Sequence, residues 1–173
     1  FCIFNNVAVA AAYALEHRGL QRVAIADFDV HHCDGTEDIF RDDPRVMLCS
    51  TFQHPYYPYC GAESGNDHII NVPLAAGTSG EGFRSAVEES WLPALTGFEP
   101  ELILISAGFD AHREDDMGGL ALHEKDYLWV TQQLKKIAEQ FCHKRIVSAL
   151  EGGYELHALG RSVMTHVKYL AEL

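Results

Sequence analysis

The chain has 173 residues, 47% of them apolar, which is enough for one domain with a sizeable core and lies outside the range of disordered chains. A formal charge of −12 argues against direct nucleic-acid binding, which needs a basic face, and suits a cationic partner. No apolar run is long enough for a membrane helix, and the five cysteines, odd in number and without a C-x-x-C pair, read as reduced thiols.

The first residues, "FCIFNN", lack the basic run of a secretory signal, so a cytoplasmic location is expected. They are apolar and carry no initiator methionine, as if taken from the interior of a longer protein. "NNVAVAAAYALEHRG" reads as a helix capped by Asn5 or Asn6 and stopped by Gly19. "RVAIADFD" and "RVMLCST" read as short buried strands. The stretch from His54 to Asp67, with Pro55, Pro58, Gly61 and Gly65, reads as a long functional loop. "SGEGFRSAVEESWLPALTGF" is expected to be a helix with a proline near its end, and "ELILISAG" a buried strand. An amphipathic helix, "HEKDYLWVTQQLKKIAEQFC", precedes the strand "RIVSALEGG" and a final helix, "HALGRSVMTHVKYLAEL". Strands alternating with helices imply an α/β fold, a parallel sheet flanked by helices. Ligands then gather beyond the carboxyl ends of the strands.

Those ends carry chemistry. "IADFDVHHCDGTED" places Asp27, Asp29 and His31 at spacings of two, on one side of an extended segment, with His32 and Phe28 on the other. Two carboxylates and an imidazole crowded together call for a cation. From this cluster alone, a metal site and a solvated strand end with a satisfied His31 stand equal. Asp110, at the end of "LILISAGFD", supplies a third ligand, and such a set leaves a coordination position open for water. Tyr154, after Gly152 and Gly153, could donate a hydrogen bond to a developing oxyanion, although glycine context alone favours a packed aromatic.

"DFDVHHCDGTEDIF", "SAGFDAHREDDMGGL", "LEGGYEL" and the opening "FCIFNNVAVAA" resemble, in order and spacing, the motifs of zinc-dependent histone deacetylases. "AGFDAH" and "LEGGY" are similar to the class II branch and bacterial deacetylase-like amidohydrolases. The resemblance implies the arginase–deacetylase fold, incomplete at the N-terminus, with residues 1–173 forming the C-terminal portion of one catalytic domain. It implies zinc on Asp29, His31 and Asp110, with Tyr154 polarising the acetyl carbonyl. It implies a structural potassium on Asp27, Ser50 and partly Asp29 by side chain, and on the carbonyls of Asp29, His31 and Thr51. A distal potassium would fall near Phe40, Asp43, Val46 and His68, and Phe1 and Tyr57 match the walls of the acyl-lysine channel.

The implied reaction is hydrolysis of an acetylated amine, an acetyl-lysine side chain or an acetylpolyamine. The family's general base is a histidine pair upstream of this chain, oriented by the residues matching Asp27 and Asp34, so this chain alone is expected to be nearly inactive. His32 faces away from the metal side, and His112, His123, His143, His157 and His166 fall at surface or helix positions. An exposed apolar sheet edge would favour self-association. Three departures stand out: Cys33 replaces a glycine, "YPYCG" replaces a glycine-rich turn at Tyr59 and Cys60, and Glu155 replaces an asparagine. The rival readings are a non-catalytic metal-binding or interaction module with the same fold and, less favoured, an arginase-type manganese hydrolase.

Overall fold

The structure, a computed structural model, describes residues 3–172. Five strands form one wholly parallel sheet in the order β3-β2-β1-β4-β5. They are β1 (Val23–Asp27), β2 (Val46–Gln53), β3 (Ile69–Leu74), β4 (Leu102–Ala107) and β5 (Ile146–Leu150). The central strands are apolar on both sides because both faces are covered. Ala24, Ala26, Cys49, Ile103 and Ile105 point into the larger core, whereas Val23, Ile25, Leu48 and Leu104 point into the smaller one.

Helix α1 (Asn6–Arg18) covers the smaller core with Val7, Ala8, Ala11, Ala14 and Leu15. Asn5 caps it by accepting from the Ala8 N–H, and Gly19 ends it in the left-handed region at φ 71°. The Asn5 amide also donates to Thr36 Oγ1, which ties α1 to the short helix α2 (Asp34–Phe40). On the other face lie α3 (Gly80–Ala86), α4 (Leu92–Phe98), α5 (Glu124–Phe141) and α6 (Leu156–Leu170).

Three elements depart from the sequence expectation. The helix over 79–98 is broken by a π-helical stretch, Val87–Trp91, just ahead of Pro93. A proline cannot donate the usual backbone bond, and a wider turn before it absorbs that loss. Strand β3 was not anticipated, because Pro73 lies within it. It is tolerated because β3 is an edge strand, where a missing N–H leaves no neighbour unpaired. Helix α2 is seven residues long, too short for its periodicity to show. The opposite edge, β5, leaves Val147 and Leu150 more than half exposed.

Chain order reverses between β1 and β4. Segments leaving those two strands diverge and open a crevice at their carboxyl ends, where a doubly wound sheet binds ligands.

Candidate active site

Asp29 follows β1 and Asp110 follows β4, so the crevice between these strands gathers both. Strand β1 ends at Asp27, and the ligand-bearing segment beyond it is not held by the sheet ladder. Its own carboxylates hold it instead. Asp27 Oδ1 accepts the Asp29 N–H at 3.0 Å, and Asp29 Oδ1 accepts the His31 N–H at 2.8 Å. These are successive turns closed by aspartate side chains, a structure aspartate favours. Asp110 Oδ1 then accepts the Val30 N–H at 2.9 Å, and Asp29 Oδ2 accepts the Gly152 N–H at 2.8 Å. Three strand ends are thereby laced together by carboxylates that keep further oxygens available.

One donor atom from each of Asp29, His31 and Asp110 lies within 4.8 Å of the others. His31 Nδ1 is 3.0 Å from Asp29 Oδ1 and 3.3 Å from Asp110 Oδ2. Asp110 is fully buried, and its Oδ2 has His31 Nδ1, at 3.3 Å, as its one close polar neighbour among the described contacts. Burial without full pairing is costly for a carboxylate. Hydrogen bonding of its N–H to the Asp110 and Asp29 carboxylates pushes the His31 imidazole up to about 10, while burial raises the Asp110 carboxyl to about 6. Burial and the charge of Asp29 also raise Asp27 and Glu151. The group of acids is short of positive charge, and the ring nitrogen facing it is positioned where a divalent ion would replace its proton. Two oxygens and one nitrogen in this arrangement fit zinc.

Glycines make room for the cluster. A Cβ on Gly108 would collide with Asp29, and one on Gly152 with both Asp110 and Asp29. The sequence marked Gly152 as a turn former, but its tighter requirement is clearance for two carboxylates.

The aromatic residues next to the acids, Phe28 before Asp29 and Phe109 before Asp110, point the other way. Phe28 and Phe109 meet edge to face at 5.9 Å inside the larger core, and both contact His166. His166 and His112 are buried, not at the surface. His166 was assigned a helix position, which it holds, but its ring spans α5 and β5. Its nitrogens lie 2.6 Å from Thr131 Oγ1 and 2.9 Å from Ser148 Oγ.

Tyr154 is half exposed on the turn after β5. It lines a cavity of about 390 Å³ with Glu114, Asp116, Met117 and Glu155. Tyr57 stands edge-on to His31 at 6.2 Å, and Tyr56, which the sequence did not single out, stacks on the same ring at 5.6 Å and 26°. Phe1 lies outside the described residues. His32 packs away from the cluster, with Nε2 2.9 Å from Glu37 Oε2 and its ring under Gly61. Asp34 is exposed in the first turn of α2.

Asp27 and Ser50 are register partners on β1 and β2, both buried, and Ser50 Oγ has no hydrogen-bond partner. These two side chains, with the backbone carbonyl of the adjacent buried Thr51, are oxygen donors of the kind an alkali ion takes. At the more distal position, Phe40 O already accepts from the Asp43 N–H and lies 3.1 Å from His68 Nε2, while Asp43 O accepts from the Val46 N–H. These contacts use part of the oxygen capacity that a cation there would need.

The departures also resolve. Cys33 is half-buried against the smaller core, and burial, then Asp27, push its thiol up from its ordinary value. Cys60 Sγ lies 3.8 Å from His32 Nδ1. Glu155 caps α6 by accepting the Ala158 N–H at 2.6 Å, which is the task of an asparagine at such a position.

The family model "Histone deacetylase domain" matches residues 1–170. The chain is 41% identical to "Histone deacetylase 10, chloroplastic" of Oryza sativa subsp. japonica over 94% of its own length and 38% of that relative's. It is 40% identical to "Probable deacetylase" of Archaeoglobus fulgidus, over 90% of this chain and 45% of the relative. The solved HDA15 HD domain superposes with a TM-score of 0.92 at 34% identity, covering 99% of this chain and 50% of that one. The chain spans about half the length, or less, of these proteins.

Proposed function

The chain belongs to the histone deacetylase family, and on that premise we propose that it carries the zinc ligands and carbonyl-polarising tyrosine of an enzyme that hydrolyses acetylated amines. The observation that supports this most is the convergence of Asp29, His31 and Asp110 donor atoms within 4.8 Å of one another, with the Asp110 carboxylate fully buried. A zinc ion held there would supply Lewis acidity toward the acetyl carbonyl and toward water.

The side chains divide the remaining work. The Tyr154 hydroxyl donates a hydrogen bond to the acetyl oxygen as negative charge develops on it. Tyr56 and Tyr57 flank His31 and offer aromatic walls to an alkyl chain carrying the acetyl group. Asp27 and Ser50 are the side chains that would hold a potassium ion, which would supply positive charge beside the segment that presents Asp29 and His31. The acids near Tyr154 favour a substrate with further positive charge, such as a lysine-rich peptide or an acetylpolyamine. The proton acceptor is taken, from the family resemblance, to be a histidine pair outside residues 1–173; among the described residues His32 is held by Glu37, and His112 and His166 are buried.

The test is hydrolysis of an acetyl-lysine peptide and of an acetylpolyamine by the complete natural chain, with and without zinc. The reading expects zinc-dependent release of acetate that is lost in Asp110→Ala. Zinc binding with no turnover of either substrate would favour a non-catalytic metal-binding module instead.

A further inference from the structure

Tyr154 sits on a turn with little stiffness of its own. Gly153 precedes it at φ 137°, a conformation that side-chain-bearing residues rarely adopt. Something else must fix the direction of the tyrosine backbone. The buried carboxylate of Asp115 is placed to do so. Asp115 Oδ2 accepts the N–H of Tyr154 at 2.6 Å and that of Glu155 at 3.0 Å. Asp115 Oδ1 accepts the Met117 N–H at 2.9 Å, and the Asp115 N–H donates to His112 O at 2.9 Å.

The segment that carries Asp115 is itself anchored. It begins at Asp110, whose Oδ1 holds the Val30 N–H, and it ends at Gly119, whose N–H donates to Gln53 Oε1 at 2.6 Å. A Cβ at Gly118 would clash with Asp110 O, so this loop lies tight against the metal-binding crevice. No lysine or arginine pairs with Asp115 among the described ion pairs. Its charge is met by backbone N–H groups at the start of α6, where the helix dipole favours an anion. Helix α6 already has its own cap in Glu155, so Asp115 is not needed for that task.

We infer that Asp115 is a positioning residue, a carboxylate clamp that locks the Tyr154 turn to the Asp110 loop and so sets the phenol against the reacting carbonyl. The inference rests on the proposed role of Tyr154. Losing one charged acceptor shared by two N–H groups loosens the turn without touching a metal ligand. A misplaced catalytic group costs rate more than substrate affinity.

The experiment is a double-mutant cycle in the complete, zinc-loaded chain. Its members are the wild type, Asp115→Asn, Tyr154→Phe and the double variant, assayed on an acetyl-lysine peptide. Asp115→Asn should lower kcat by about tenfold or more, with KM and zinc content nearly unchanged, because the effect falls on positioning. In the Tyr154→Phe background the same substitution should cost less than about twofold, since residues acting as a unit are not additive. An equal loss in both backgrounds, or an unchanged kcat in Asp115→Asn, would overturn the clamp while leaving the role of Tyr154 standing. Near-normal turnover in Tyr154→Phe would overturn both. Amide hydrogen exchange on the wild type covers the case in which Asp115→Asn misfolds. The Tyr154 and Glu155 N–H groups should be protected, and exchange at open-chain rates would overturn the clamp.

Discussion

The Gly152 N–H donates to Asp29 Oδ2 over 2.8 Å, so the turn that carries Tyr154 begins at a hydrogen bond to a proposed zinc ligand. One contact thus joins the end of β5 to the end of β1. Asp110 is enclosed from the same side, because a Cβ on Gly152 would strike its Oδ2.

Gly152→Ala should therefore weaken zinc binding by at least about tenfold, since the new methyl must displace one of two ligand carboxylates held in close packing. Gly35→Ala is the control, because a Cβ there meets nothing within 4 Å. Competition with a zinc-chelating dye measures both. Equal affinities would show that the ligand cluster yields without cost.

Tyr154→Phe should reduce turnover by roughly a hundred- to thousand-fold, the usual cost of one lost oxyanion donor. Zinc content should stay unchanged, because the phenol is outside the cluster of three donors. Steady-state rates and metal analysis of the same sample check this together.

His166 should make stability fall with acidity. Thr131 Oγ1 gives its proton to Tyr127 O, so it accepts from His166 Nδ1–H and leaves Nε2 to accept from Ser148 Oγ. The ring is neutral and satisfied, and burial lowers it to about 4 from its ordinary 6.5. Between those values the unfolded chain binds the proton and the folded chain does not. The contribution is therefore whole above about pH 6.5 and is lost progressively down to about pH 4, roughly 3 kcal/mol in all. Urea unfolding at pH 7 and pH 4.5 should show a larger loss for the wild type than for His166→Gln. Identical losses would remove His166 as the cause.

Residues 1–173 expressed alone should turn over acetyl-lysine far more slowly than the complete natural chain at matched zinc occupancy, for want of a proton acceptor. Equal rates would place a base among these residues and make His32 the first to mutate.

Much of this site was legible because its ligands sit at strand ends, where an apolar run stops at an acid. The spacing of Asp27, Asp29 and His31 suggested a shared side; the structure brings Asp29 and His31 together with Asp110, through turns closed by carboxylates and not a continued strand, and leaves Asp27 at the end of β1 opposite Ser50. Tyr56 was hidden because stacking on His31 follows from the fold of a long loop without periodicity. Asp115 was hidden among neighbouring acids, since only tertiary contact shows which of Glu114, Asp115 and Asp116 turns inward. His112 and His166 look like surface residues until their partners on other elements are seen. Strand β3 was masked by Pro73, whose effect depends on whether the strand lies at an edge.

The most direct test is anomalous diffraction at the zinc edge from crystals of the zinc-loaded protein. One strong peak is expected, bounded by Asp29, His31 Nδ1 and Asp110 Oδ2. A fully loaded protein with its peak elsewhere, or with these three side chains turned apart, would contradict it.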